Sequence, residues 1–454
     1  GNLQFSGQFT GNAIADFLLG YARTAELSNV FVVNQRHWST GFFAQDDWRV
    51  TDRLTVNLGV RYDFMTPAYE AGNQMANFDP AVGGLVYAKD GSLADRALIT
   101  PDRNNIAPRV GVVYGLSERT VLRGGYGVFY NLFDRIGSED QIALNPPNLR
   151  NINLQTGSAT TPVLLLRDGF PSNFLDVSNI NTRNLLIRAA DRNAPDALFH
   201  QFSGGIEHQI GRAFSASVDV VGNLGRNIAV LRNLNQPLRG TLDANGPLPY
   251  PNFNHIQWRE MSGRSRYYGV DTSFQRRFSD GYSYRVSYTY GNSRDQAPEH
   301  LAAGSGRPQN GRDLKAWEGP SDFDIRHRLT TDFVLELPFG RNKPFMQDGV
   351  GGAVLGGWTV SGIFSARTGR PFTVTQGTNV VGLGATGIPN LVGDPTGNKT
   401  VDSWFNVAAF QVVPSGTFGN AGRNIVRGPG FATMDLSVQR RIPLLARAGL
   451  TLRW

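Results

Sequence analysis

Residues Leu54 to Asp63 read LTVNLGVRYD and alternate without a break. Leu54, Val56, Leu58, Val60 and Tyr62 take one side; Thr55, Asn57, Gly59, Arg61 and Asp63 take the other. Successive side chains of a strand point to opposite faces, so this segment is a strand with one apolar and one polar face. About ten residues is nearly twice the usual soluble strand and suits a tilted strand that crosses a membrane. The same pattern recurs along the chain and predicts about thirteen strands.

The expected strands are Asn2 to Thr10, His37 to Val50, Leu54 to Phe64, Asn105 to Tyr114, Thr120 to Tyr130, Ala197 to Ile210 and Ala213 to Asn223. They continue with Tyr267 to Arg277, Tyr282 to Gly291, His327 to Leu337, Trp358 to Arg367, Phe431 to Arg440 and Leu450 to Trp454. Short connections rich in Gly, Asp or Ser alternate with long ones over 65–104, 131–196, 224–266, 292–326 and 368–430. Only 338–357 breaks the alternation, being long where a short turn is due. Antiparallel barrels of the outer membrane place short turns on the periplasmic side and long loops outside. Aromatic residues agree: Trp48, Tyr114, Tyr282 and Trp358 mark short-turn ends, and Trp38, Tyr62, Tyr130 and Tyr290 mark long-loop ends. Rings of this kind favour the headgroup level. The expected fold class is therefore all-β, an antiparallel transmembrane β-barrel, partial, of about thirteen strands of a larger barrel, in a Gram-negative-type outer membrane. The whole span 1–454 reads as one barrel domain.

Composition removes other classes. No run approaches the roughly 20 apolar residues of a membrane helix. With no cysteine, disulfide scaffolds and Cys-based metal sites are excluded. The net charge of +7 is scattered and forms no basic stripe with interleaved aromatics, so no nucleic-acid partner is expected. The start, GNLQFSGQFT, has no signal-peptide character, and the end, GLTLRW, stops inside an expected strand, which together suggest a fragment.

Chemistry-bearing constellations are weak. His200 and His208 share a strand face but stand roughly 26 Å apart at the strand rise, too far to share a metal. No HEXXH or GxSxG motif occurs, and the glycines from Gly124 to Gly127 sit inside a strand. The carboxylate pairs Asp46–Asp47, Glu139–Asp140 and Asp322–Asp324 read as lumen wall or solvated loop. Neither an enzyme nor a cofactor is expected. The polar strand faces are more informative. Arg61, Asp63, Arg109, Arg123, Glu207, Asp219, Asp271, Arg285 and Asp435 should point inward, because a lipid-facing Arg or Lys would cost about 2–4 kcal/mol at mid-bilayer. They would guide solute, hold a plug, or fill the lumen with mutual salt bridges. Ala13 to Leu19 should form a short helix packed over the barrel mouth.

Several segments resemble the barrel of TonB-dependent outer-membrane receptors of the Oar-like group: ADFLLG (Ala15–Gly20), FAQDDWRV (Phe43–Val50), LGVRYD (Leu58–Asp63), PRVGVVYGL (Pro108–Leu116), LRGGYGVFY (Leu122–Tyr130), DIRHRLT (Asp324–Thr330), TGRPF (Thr368–Phe372) and RGPGF (Arg427–Phe431). The resemblance implies a parent with a signal peptide, an N-terminal β-sandwich, a plug and a barrel of about 22 strands. By that resemblance the chain is expected to be a C-terminal portion of the barrel that lacks its final strands, without the signal peptide or the plug segment that contacts the TonB complex. Expected partners are outer-membrane lipid, the TonB complex through that absent plug, and an unknown solute or peptide ligand. The implied function is energy-coupled uptake of a scarce solute or handling of exported cargo. A passive porin-like channel and an outer-membrane adhesin or structural protein are the alternatives, and loops 131–196 and 368–430 are the candidate ligand-contact regions.

Overall fold

Twelve long strands pair side by side, and their register turns the sequence alternation into two chemically distinct faces. The computed structural model describes the chain except residues 132–141, 157, 177–179, 181, 238–245, 297–306, 377–386, 415 and 446–447. In chain order the strands are β1 (Ser39–Arg49), β2 (Leu54–Met65), β3 (Ile106–Ser117), β4 (Thr120–Asn131), β5 (Ala197–Ile210) and β6 (Phe214–Asn233). They continue as β7 (His255–Ser279), β8 (Tyr282–Asp295), β9 (His327–Glu336), β10 (Trp358–Arg367), β11 (Phe431–Leu445) and β12 (Ala448–Arg453). Each pairs antiparallel with its sequence neighbour, forming one 14-stranded sheet when the short strands Leu186–Ala190 and Gly319–Pro320 are included. No pairing joins β1 to β12 among the described residues, so both edges are free.

The turns follow their residues. The β7–β8 hairpin closes through Asp280 and Gly281, with φ of 53° and 89°. Positive φ at both positions gives the turn whose twist matches the flanking strands, which is why Asp-Gly stands there. In the β1–β2 turn, Thr51 Oγ1 accepts from the backbone N–H of Leu54 at 3.0 Å. The irregular connection 338–357 holds a short helix, Gly349–Leu355.

The first expected strand, Asn2 to Thr10, is not in this sheet. Only Asn2–Gln4 is extended, and it pairs with Thr24–Ser28 in a separate three-stranded sheet completed by Asn151–Gln155. Gly7 and Gly11 adopt φ near +80°, which ends the extended run. The helix over Ala13–Leu19 does form, capped by Asn12 and by left-handed Gly20. The expectation that it packs over the mouth fails: Ile14 and Leu18 stay 70% and 76% exposed. What holds the helix is Asp16, buried and hydrogen-bonded to the Thr10 hydroxyl at 2.7 Å.

The described parts of the long connections are folded. Phe78, Leu185, Ile187, Phe253, Ile256 and Trp258, drawn from three of them and the outer end of β7, share one buried cluster. A second joins Met75, Leu98, Ile99, Ile142 and Ala143. Strands β6 and β7 run past their expected ends into this cap, where Leu186–Ala190 pairs parallel with the start of β7.

Candidate functional site

Register decides which way each charged side chain points. Directly opposed residues share a face. Arg109 lies opposite Gly59, two residues from Arg61. Arg123 is opposite Gly205, Gly205 opposite Asp219, and Asp219 opposite Asp271. Glu207 is opposite Val121, two residues from Arg123. Arg285 is opposite Gln275 and Asp332; Asp332 is opposite Ile363, and Ile363 opposite Asp435. With Asp63 two residues beyond Arg61, all nine candidates fall on one side of the sheet. The other side carries Leu58, Val60, Val110, Tyr126, Ile206, Val218, Val220, Tyr288, Met434 and Leu436, each a large side chain left exposed. A face that is apolar and uncovered is suited to lipid.

The nine are not equivalent. Arg123 grips Asp219 with two nitrogens, at 2.8 and 2.7 Å, and reaches Glu207 at 3.4 Å. Arg61 and Asp63 pair at 2.7 Å. Asp271 accepts from the Thr289 hydroxyl at 2.6 Å. The Arg109 guanidinium stacks 4.4 Å from the Phe129 ring centre. Arg285 and Asp435 make no ion pair among the described residues. Above the ion-paired group, Arg109, Phe129, Gln201, Asn223 and Tyr267 line a hollow of about 470 Å³.

The outer rim holds a second constellation that sequence reasoning left as bland loop. Arg423 is buried, and its Nη2 donates to the Asp295 carboxylate and to the Gly319 carbonyl, the latter at 3.3 Å. Its Nη1 reaches Asp322 at 3.3 Å. Arg427 donates to Asp324, which also accepts from the Ser293 backbone N–H at 2.6 Å. The Thr368 hydroxyl accepts from the backbone N–H of Arg326 at 3.0 Å. A Cβ on Gly369 would collide with the Gly428 carbonyl. Three of the recognised segments, DIRHRLT, TGRPF and RGPGF, thus meet at one place, and that shared spacing was their only sequence signal. Asp322 and Asp324 face different arginines and form no acid–base pair. Asp46 and Asp47 are adjacent on β1 and point to opposite faces. Glu139, Asp140 and His300 lie outside the described residues. His200 and His208 sit on the lipid side, hydrogen-bonded to Tyr126 and Thr120.

Comparison with solved structures finds chains of similar course. The pyoverdine outer membrane receptor FpvA from Pseudomonas aeruginosa is 10% identical, with a TM-score of 0.42 over 92% of this chain and 37% of its own. The outer membrane transporter YddB from Escherichia coli is 9% identical, with a TM-score of 0.43 over 91% and 40%. The FrpB iron transporter from Neisseria meningitidis is 11% identical, with a TM-score of 0.41 over 90% and 39%. This chain spans well under half the length of each. No curated protein matches it. The family model described as an outer membrane beta barrel domain matches residues 1–454. A sheet with a continuous lipid-suited face and a charged opposite face is what that match requires: the chain belongs to the outer membrane beta barrel domain family, and its place is the outer membrane.

Proposed function

We propose that this wall is part of a TonB-dependent receptor of the Oar-like kind, which captures a scarce solute outside and admits it by energy-coupled uptake. The supporting observation is the outer cap. The described parts of three long connections pack into clusters of their own, and Arg423 and Arg427 fasten loop 368–430 to strand β8 and to the segment leading into β9. A passive pore gains nothing from a folded, fastened cap over its mouth, whereas a receptor needs a shaped outer surface. The unpaired inward groups, Arg285 and Asp435, and the stacked Arg109 are then contact points for a plug or solute, while the paired ones set the wall. Further strands would pair along the free edges of β1 and β12, because open backbone edges are not tolerated in lipid. The plug and its TonB contact would come from outside this span.

The test is transport by the full-length protein. Solute should bind to cells whose inner-membrane energy is collapsed yet not enter them, and planar bilayers should show a closed lumen. Steady single-channel conductance by the intact protein would reject the receptor reading in favour of an open pore.

A further inference from the structure

Above the lipid-facing aromatics Tyr268, Tyr290, His200 and His327, the same outward face carries arginines that the wall does not need. Arg266 on β7 lies directly opposite Arg294 on β8. Like charges in opposed positions destabilise a strand pair. Arg264 stands one pleat above Arg266, exposed on the same side. Arg226 is exposed at the β6 bulge across from it. Among the described residues Glu318 is the one carboxylate paired with this group. It takes Arg266 at 2.7 Å and lies 3.6 Å from Arg294. Arg264 and Arg226 have no side-chain partner among the described residues. The nearby Glu260 is committed to Arg232 at 2.8 Å, and Arg326 is turned to Asp324 at 3.5 Å. Among the described residues the patch therefore carries an excess of positive charge at the height where the apolar wall ends.

We propose that Arg226, Arg264, Arg266 and Arg294 bind the phosphate of a phosphomonoester-bearing lipid in the outer leaflet. A guanidinium matches phosphate oxygens with two parallel N–H donors, and two or more converging guanidiniums relieve their mutual repulsion on one anion. Lipid, and not free phosphate, is favoured by what lies below. Val270, Val220 and Val218 continue the same outward face toward the short turns, with Val220 half exposed, so an acyl chain has a surface to follow. This inference needs only the lipid-facing wall and stands apart from the receptor reading.

The experiment uses the full-length protein purified in detergent, titrated with short-chain phosphatidic acid, short-chain phosphatidylcholine and inorganic phosphate. Phosphatidic acid should bind at least about tenfold tighter than either of the others, and more weakly as salt rises. Arg264→Gln with Arg266→Gln should cut that binding by more than about tenfold, while the doubly Lys-substituted protein keeps part of it. Heat-modifiable gel mobility reports that each variant stays folded. Arg212→Gln, at a short turn on the opposite rim, should bind as wild type. Unchanged binding by the Gln variant, an equal loss in Arg212→Gln, or equal affinity for inorganic phosphate would each overturn the proposal.

Discussion

Val220 and Val221 are adjacent on β6 and should respond in opposite ways to one charge. Val220 is half exposed on the apolar side, midway between the turn at Gly211 and the outer rim. Val221 sits on the other side, opposite Ser203 and Gly269 and two residues from Asp219. A lysine at position 220 would put an ammonium into hydrocarbon, costing about 2–4 kcal/mol near the midplane. A lysine at 221 would stand in a polar lumen beside an acidic neighbour and should cost less than about 1 kcal/mol. Urea titration of the full-length protein folded into vesicles would separate them. Val220→Lys should lower the folding equilibrium constant by roughly 30- to 1000-fold, at about 1.4 kcal/mol per tenfold. Equal costs, or a larger cost at 221, would mean that the faces are assigned backwards, and the membrane reading of the sheet would fall.

Three further outcomes follow from the cap and the turns. Arg423→Ala leaves the buried Asp295 carboxylate without its cation, so loop 368–430 should lose about 3–5 kcal/mol of local stability; hydrogen exchange should rise there and not in β9 or β10, and a combined Arg423→Met, Asp295→Leu protein should recover most of the protection. His255, in the cap at the far outer end of β7, is held to about 4 by burial and by Arg307, whose Nη1 donates to its Nε2 at 3.3 Å. It takes up a proton less readily folded than unfolded, so its contribution is complete above about 6.5 and is lost as pH falls toward 4, on the order of 3 kcal/mol; protease cleavage of the cap should increase across that window, and His255→Gln should flatten the response. Arg276 donates to the carbonyls of Ser279 and Tyr282 at 2.6 and 2.7 Å, so Arg276→Ala should cost about 1–3 kcal/mol in the same urea titration by leaving those acceptors unmet.

The wall was readable from the sequence because its two solvents differ so sharply. Every second residue meets lipid, so Leu54 to Asp63 betrays its strand without any knowledge of its neighbours. The same rule misleads where no lipid enforces it: Asn2 to Thr10 shows a similar mixture, yet two left-handed glycines bend it out of extension. It also falls silent above the membrane. Strands β6 and β7 continue to Asn233 and from His255 because Leu186–Ala190 and cap side chains cover them, and no local pattern announces that. The rim arginines are hidden for a further reason. Arg423 and Asp295 are 128 residues apart in the chain. A contact of that range leaves no periodic trace, only isolated short segments whose meaning appears when the chain is folded.

The inner wall has a vertical order that bears on what it can pass. Near the short turns, Arg123 pairs with both Asp219 and Glu207, one cation against two carboxylates, so these charges are fixed to the wall and leave it net negative there. Further toward the outer rim the wall turns aromatic and amide-rich, with Phe129, Tyr267, Gln201 and Asn223. Large inward rings would obstruct a lumen if they stood upright. They lie flat here because glycine vacates the space beside them: a Cβ on Gly269 or Gly291 would press on the Tyr267 ring, and one on Gly127 would press on Phe129. The rings thereby present faces, a hydroxyl and neighbouring amides along a smooth surface. Such a surface forms many weak contacts and no deep trap. A solute or plug segment entering from the cap would meet this aromatic and amide zone, which holds the Arg109 guanidinium, before the Arg123 cluster. Under the receptor reading proposed above, that order suits a wall along which a solute slides, with tight binding at the cap.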